Sequence, residues 1–283
     1  MTEIVDIHTH VIATDTVKYP RAPLGGTQSD WSRERPTSPE QMLAAMDAAG
    51  VAKSAVVQAS TCYGYDNSYL AEAIALYPKR FTGVFCMDMF APDAAATFAH
   101  WTSRGMTGMR LFTTGSTQPG QAGWLADPAT FPVWELAEAA HLPVCLQMRP
   151  EGVPQLLVLL ERFKRVPIVL DHLARVSLSD GAPYAKADWL WDLAKYPNIF
   201  LKLTSRTAEE SQKGLATPKS FFPRLVEAFG ADRIAFGSNF PAHEGPLSHL
   251  VEEVEHVLVD LTKVQRDWIM GGTALRLYPS LVG

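Results

Sequence analysis

Cysteine is scarce in this chain of 283 residues, which holds three: Cys62, Cys86 and Cys145. An odd count excludes a fully paired disulfide framework, and two of the three lie in apolar, strand-like runs where a thiol behaves as a small buried hydrophobe. That usage points to a reducing, cytoplasmic setting. Long apolar runs are missing too, so no segment reaches the length of a membrane span. The opening residues, Met1-Thr2-Glu3-Ile4-Val5-Asp6, have no basic stretch ahead of an apolar one, so no targeting signal is read.

Massed positive charge is equally absent. Lys and Arg number 25 against 30 Asp and Glu, a net charge of −5, and the basic residues are scattered, which argues against a nucleic-acid partner. No Gly-rich phosphate turn follows the first apolar run, against a doubly wound dinucleotide-binding sheet. No G-x-S-x-G elbow occurs, against an α/β serine hydrolase. No Pro/Gly/Ser linker or shift in composition divides the chain, so residues 1–283 read as one domain. A homo-oligomer is left open.

What is present is alternation. Short β-branched and apolar runs (Glu3–His8, Ser54–Gln58, Phe81–Met87, Thr107–Phe112, Pro143–Met148, Pro167–His172, Asn198–Thr204 and Arg233–Ser238) are separated by segments of helical period. Ser38-Pro39-Glu40-Gln41 carries a capping box with proline at the first helical position, and its helix is expected to end at Gly50. Further helices are expected near Asn67–Tyr77, Asp93–Ser103, Pro132–Ala140, Pro154–Phe163, Ala185–Lys195, Pro218–Phe229 and Pro246–Leu261. Eight strand–helix pairs describe an α/β fold, a single (β/α)8 TIM barrel, with Thr262–Leu275 as an extra C-terminal helix. Val11–Thr37 leaves the carboxyl end of the first strand, the active-site face of a barrel, and is a candidate lid carrying Trp31, Arg21, Arg33 and Arg35.

The first strand ends in Asp6-Ile7-His8-Thr9-His10. Strict alternation puts Asp6, His8 and His10 on the inner face, with Val5, Ile7 and Thr9 toward the helices. Two imidazoles at this spacing bind a divalent ion, hold substrate oxygens, or simply hydrogen-bond at a strand end. A third, His172, closes the buried-type run Ile168-Val169-Leu170-Asp171, and Asn239 follows the last strand. Arg110 in Gly108-Met109-Arg110-Leu111-Phe112 reads equally as an ion-pair partner or an anion binder. Cys62 is a weak nucleophile candidate, because a reactive thiol needs a lowered pKa.

These residues, with Met46-Asp47-Ala48-Ala49-Gly50-Val51, Gln58-Ala59-Ser60-Thr61-Cys62-Tyr63-Gly64-Tyr65-Asp66-Asn67, Gly105–Arg110 and Phe236-Gly237-Ser238-Asn239-Phe240-Pro241, resemble the amidohydrolase superfamily in its amidohydrolase-2 branch, which includes pyrone-dicarboxylate and sugar lactonases. The resemblance spans nearly the whole chain. It implies His8, His10 and His172 at the reaction centre, Asn239 beside them, Arg110 toward a substrate carboxylate, and Gln58 with the Ser60–Tyr63 turn lining the pocket. Two positions depart from the family's metal-dependent pattern: Gln147 stands where a histidine is usual, and Asn239 where an aspartate serves as ligand and proton acceptor. An amide cannot take a proton from water, so a neutral histidine must do so.

The resulting expectation is a hydrolase of a small carboxylated or sugar-acid lactone. Arg110 grips carboxylate, helped by Arg149, Arg206 or the lid arginines. Zinc or manganese on His8, His10 and His172 is one option, since three protein ligands suit a catalytic ion, and no required metal is the other. A metal-dependent decarboxylase or another hydrolase of this branch, a lactone isomerase and a degenerate ligand-binding barrel are the rival readings.

Overall fold

The computed structural model describes residues 3–115 and 119–282, so Met1 and Thr2 of the segment read for a targeting signal lie outside it. Eight strands, β1 (Ile4–Thr9), β2 (Val51–Val57), β3 (Phe81–Phe85), β4 (Met106–Phe112), β5 (Val144–Gln147), β6 (Ile168–Asp171), β7 (Ile199–Leu203) and β8 (Ile234–Phe236), pair in parallel in sequence order. A helix fills every crossover, from Pro39–Ala48 to Pro218–Phe229, and Leu247–Val257 follows β8. This is the TIM barrel expected from the alternation. The seam between first and last strands is drawn together by a Thr9–Phe240 bridge, by Asn239 N–H donating to the His8 carbonyl at 2.8 Å, and by His10 N–H donating to the Phe240 carbonyl at 2.9 Å.

Period-two alternation sorts the strand residues into two apolar sets. Val56, Phe85, Leu111, Leu146, Leu170, Leu201 and Phe236 belong to the large cluster against the helices. Ala55, Val57, Val84, Cys145, Val169, Phe200 and Ala235 form a smaller inner cluster, closed at the amino ends of the strands by Leu277, Tyr278 and Leu281. Gly108 is needed there, since a Cβ would come within 2.9 Å of the Tyr278 ring.

Strict alternation fails on β1. Val5 and Ile7 join the inner cluster instead of facing helices. The register slips between Asp6 and Thr9, where three steps on β1 match two on β2. Such a bulge puts neighbouring side chains on one side. Asp6 Oδ1 accepts from the backbone N–H groups of His8 at 2.8 Å and Ser238 at 3.0 Å, so the carboxylate pins the bulge to the loop after β8.

Ser38 caps its helix as expected, accepting from Gln41 N–H while the Gln41 side chain accepts from Ser38 N–H. The expected C-terminal helix is two pieces, Lys263–Asp267 and Thr273–Leu277, joined by a wide π-turn at Trp268–Gly272. Gly272 permits that turn, for a Cβ would lie 2.7 Å from the Trp268 ring. Short helices at Asp30–Glu34, Ser60–Tyr63 and Ser205–Glu210 escaped the sequence reading, being too short to show a helical period. Among the described residues no helix is long and apolar enough to cross a membrane.

Candidate active site

At the carboxyl ends of the strands lies a cavity of about 210 Å³, lined by His10, Trp31, Gln58, Arg110, Gln147, His172, Arg175, Arg206 and Asn239 among others. His8 lies fully buried beneath it, its ring 5.0 Å from those of both His10 and His172. The three histidines expected at the reaction centre are thus together. His10 Nδ1 is 2.8 Å from the Val57 carbonyl. A carbonyl only accepts, so this nitrogen carries the proton and Nε2 is left bare. The Asn239 side chain lines the cavity beside the same imidazole. His172 Nδ1 is held by Thr204 Oγ1 at 2.8 Å, whereas both nitrogens of His8 are buried without a partner.

Burial first, and the nearby cations Arg110 and Lys202 after it, hold these imidazoles neutral: His10 is lowered to about 3 and His8 falls well below the usual range. For His172 burial is again the largest influence, and Asp171 offsets it only in part.

Two neighbours of this cluster went unassigned in the sequence reading. Asp171 is fully buried and shared by two cations: Arg110 Nε at 2.6 Å on Oδ2 and Lys202 Nζ at 2.7 Å on Oδ1. Burial would raise this carboxyl, but Arg110 and Lys202 outweigh it and hold it well below the usual carboxylate range. The signal was a lysine inside the apolar run Ile199-Phe200-Leu201-Lys202-Leu203. Of the two earlier readings of Arg110, the structure shows the ion pair, with Asp171, and the same side chain also lines the cavity.

Arg175 is the larger omission. His172, Leu173, Ala174 and Arg175 run consecutively at φ of 53°, 48°, 49° and 57°, a left-handed stretch that non-glycine residues rarely adopt and that sequence does not announce. The turn swings His172 and Arg175 onto one wall. The Arg175 guanidinium is lowered by burial and then by Arg206, Arg149 and Arg110, and its Nε is buried without a partner.

Other expected residues are placed elsewhere. Tyr63 does not line the cavity; its hydroxyl accepts from Ala13 N–H at 2.8 Å and from Arg21 Nη1 at 2.7 Å, anchoring the loop after β1. Arg149 is likewise outside the lining, its Nε donating to Thr114 Oγ1 at 2.9 Å. The lid arginines are spent on structure: Arg35 Nε donates to the Pro241 carbonyl at 2.9 Å, and Arg33 pairs with Asp30. Trp31 is the lid residue at the site, its ring 5.1 Å from His10. Cys62 is buried with its thiol pushed up by that burial, which removes the nucleophile reading.

The amidohydrolase family model matches residues 5–280. The chain belongs to the amidohydrolase family. An L-fucono-1,5-lactonase of Burkholderia ambifaria is 26% identical over 248 residues, covering 85% of this amidohydrolase and 81% of the relative. A 4-sulfomuconolactone hydrolase of Rhizobium radiobacter is 25% identical over 256 residues, covering 85% and 76%. Among solved structures, an amidohydrolase of Burkholderia multivorans with bound zinc superposes with a TM-score of 0.78 at 20% identity, over 98% of this chain and 99% of that one. That likeness speaks to the fold.

Whether this amidohydrolase suits such an ion turns on its donors. His8 has two unpartnered nitrogens and His10 and His172 offer one each, Gln147 and Asn239 are neutral amides, and three guanidiniums line the same cavity. Among the described residues no group of three or more His, Cys, Asp or Glu side chains is arranged to hold a metal ion. A divalent cation here would sit among like charges, with imidazoles that are not arranged around one ion, so the donor set does not fit one.

Proposed function

We propose that this amidohydrolase hydrolyses a small lactone that carries a carboxylate, without routing the reaction through a metal. The observation that carries the anionic group is Arg175: the neighbouring charges acting on it are Arg206, Arg149 and Arg110, all cations. A half-buried guanidinium in that company is stabilised by an anion from outside. The lactone itself is supported by the relatives, one a fuconolactonase and one a sulfomuconolactone hydrolase. A cavity of about 210 Å³ is below the roughly 300–1,000 Å³ that drug-sized ligands occupy, and suits one substituted ring.

In this reading the carboxylate lies against Arg175 and Arg206, and the ring carbonyl lies over the histidines. His10 Nε2, bare by tautomer, takes a proton from water as its oxygen bonds the carbonyl carbon. Asn239 holds that imidazole and orients the water. Arg110 joins Arg175 and Arg206 on the carboxylate. When the ring C–O bond breaks, the proton returns to the leaving oxygen, and the product is an open-chain hydroxy acid. The bound carboxylate also offsets the cations that depress His10, so the base strengthens when substrate arrives. Trp31 covers the pair.

The test is a panel of lactones with and without a carboxylate, followed by proton release with and without chelator. Turnover of carboxylated lactones, indifferent to chelator, is expected. Turnover of neutral sugar lactones alone, or activity abolished by chelator, overturns the reading. We also infer a cytoplasmic protein, since all three cysteines are free and buried.

A further inference from the structure

Arginine and a carboxylate normally meet as a fork, with two parallel N–H···O bonds. Arg110 and Asp171 do not. Arg110 gives Asp171 only its Nε, at 2.6 Å on Oδ2, while Nη2 donates to Gln147 Oε1 at 2.6 Å. The second carboxylate oxygen is ion-paired, not hydrogen-bonded: Lys202 Nζ lies 2.7 Å from Oδ1 and donates to Cys145 Sγ at 3.4 Å. Lys202 is 0% exposed. Its stem runs beside Gly237, where a Cβ would come 3.3 Å from Lys202 Cγ and 2.7 Å from His8 Cβ. A bare glycine just after β8 therefore makes room for a lysine that does not line the cavity.

We propose that the buried pair Lys202–Asp171 is the positioning element for Arg110: by occupying Oδ1, Lys202 prevents the fork and keeps the Nη edge of Arg110 turned to Gln147 and the cavity. Three strands are braced by one carboxylate, with β4 supplying Arg110, β6 Asp171 and β7 Lys202. Without the lysine, Oδ1 loses its counter-ion while still lacking a hydrogen-bond donor, and the Nη edge of Arg110 is free to supply one. Arg110 then rolls onto Asp171 and leaves Gln147. The guanidinium already rests 4.5 Å from the Phe112 ring, a face along which it can turn. Lys202 touches no ligand, so its role is to position. That Arg110 meets the ligand rests on the function proposed above.

The experiment measures affinity for citrate by isothermal titration and KM against kcat for a carboxylated lactone, in the parent, Lys202→Met, Asp171→Asn and the double variant. Lys202→Met is expected to weaken citrate and raise KM about tenfold, with kcat changed less, and to leave the KM of a neutral lactone alone. In the Asp171→Asn background, itself weakened, adding Lys202→Met changes affinity no further, because the lysine acts only through Asp171. Parent-like citrate affinity in Lys202→Met, or strictly additive losses in the double variant, overturns the proposal. If Lys202→Met does not fold, Asp171→Asn and the charge-balanced double variant carry the test: parent-like affinity in Asp171→Asn, or a further loss on adding the second change, sinks it. A parent that binds no citrate and turns over no carboxylated lactone refutes the function, and with it the ligand contact on which this proposal stands.

Discussion

On the inner face of β5, β6 and β7 the lower residues are Cys145, Val169 and Phe200, packed with Tyr278. Two residues further along the same strands stand Gln147, Asp171 and Lys202. One step of the pleat thus separates a plug of apolar side chains from a polar, ion-paired network. The lower layer can be apolar because it has only to fill space, and it is sealed by the end of the chain. The upper layer cannot, and each of its charges is tied to a neighbour across the barrel or aimed at the cavity. Stability and chemistry are therefore carried by different layers of the same strands, and substitutions in each should have separable effects.

The largest expected effect comes from the upper layer. His10→Ala should lower kcat by about 10²–10⁴, the usual worth of a positioned acid–base group, while the melting temperature stays within a few degrees. A catalytic loss matched by an equal loss of folded protein would collapse the distinction between layers. In the lower layer, Tyr278→Ala should cost about 3–5 kcal/mol in denaturant unfolding, as for other large buried rings, and leave kcat of the folded fraction unchanged.

A smaller effect is expected at Arg175. Replacing it with Met removes hydrogen bonds to a charged group, each worth about 1.5–3 kcal/mol, so KM for a carboxylated lactone should rise about tenfold or more. A neutral lactone should not notice. Equal losses on both would place Arg175 in the scaffold.

The mildest test is pH. His8, His10 and His172 are buried neutral with lowered pKa values, so below the ordinary imidazole value of 6.5 the unfolded chain binds protons that the folded one refuses. Stability should therefore fall as pH drops from about 7 toward 5. The low Asp171 carboxyl contributes in the same direction only at more acid pH, below the ordinary carboxylate value of 3.8. Over the same interval kcat/KM of the folded enzyme should show no acid limb near 6.5, because His10 in the free protein is neutral down to about 3. A limb near 6.5 would assign the base to a group in ordinary solvent.

Much of this was readable from strand ends. His8, His10, His172 and Asn239 each close or follow an apolar run, and a parallel barrel gathers such ends at one mouth whatever the helices do. The Lys202–Asp171–Arg110 brace was not readable, because it depends on the register of β4, β6 and β7, which no local pattern encodes. Nor was the inward turn of Ile7, since a bulge breaks the alternation from which facing is inferred. Tyr63 was misplaced for a related reason: a short helix at Ser60–Tyr63 carries its ring back toward Ala13 and Arg21. The left-handed turn that delivers Arg175 has no glycine to mark it.

The seam between β1 and β8 has a consequence for how this enzyme comes into being. Its hydrogen bonds are made by the backbones of His8, His10 and Asn239 themselves, so the residues proposed to perform the chemistry are also those that join the two ends of the sheet. No partial barrel can hold the site. As the chain is made, catalytic competence arrives only when residues some 230 positions apart have met, among the most remote contacts in the molecule. Activity is then a direct gauge of completed folding, and a truncated or stalled chain is silent rather than half-active.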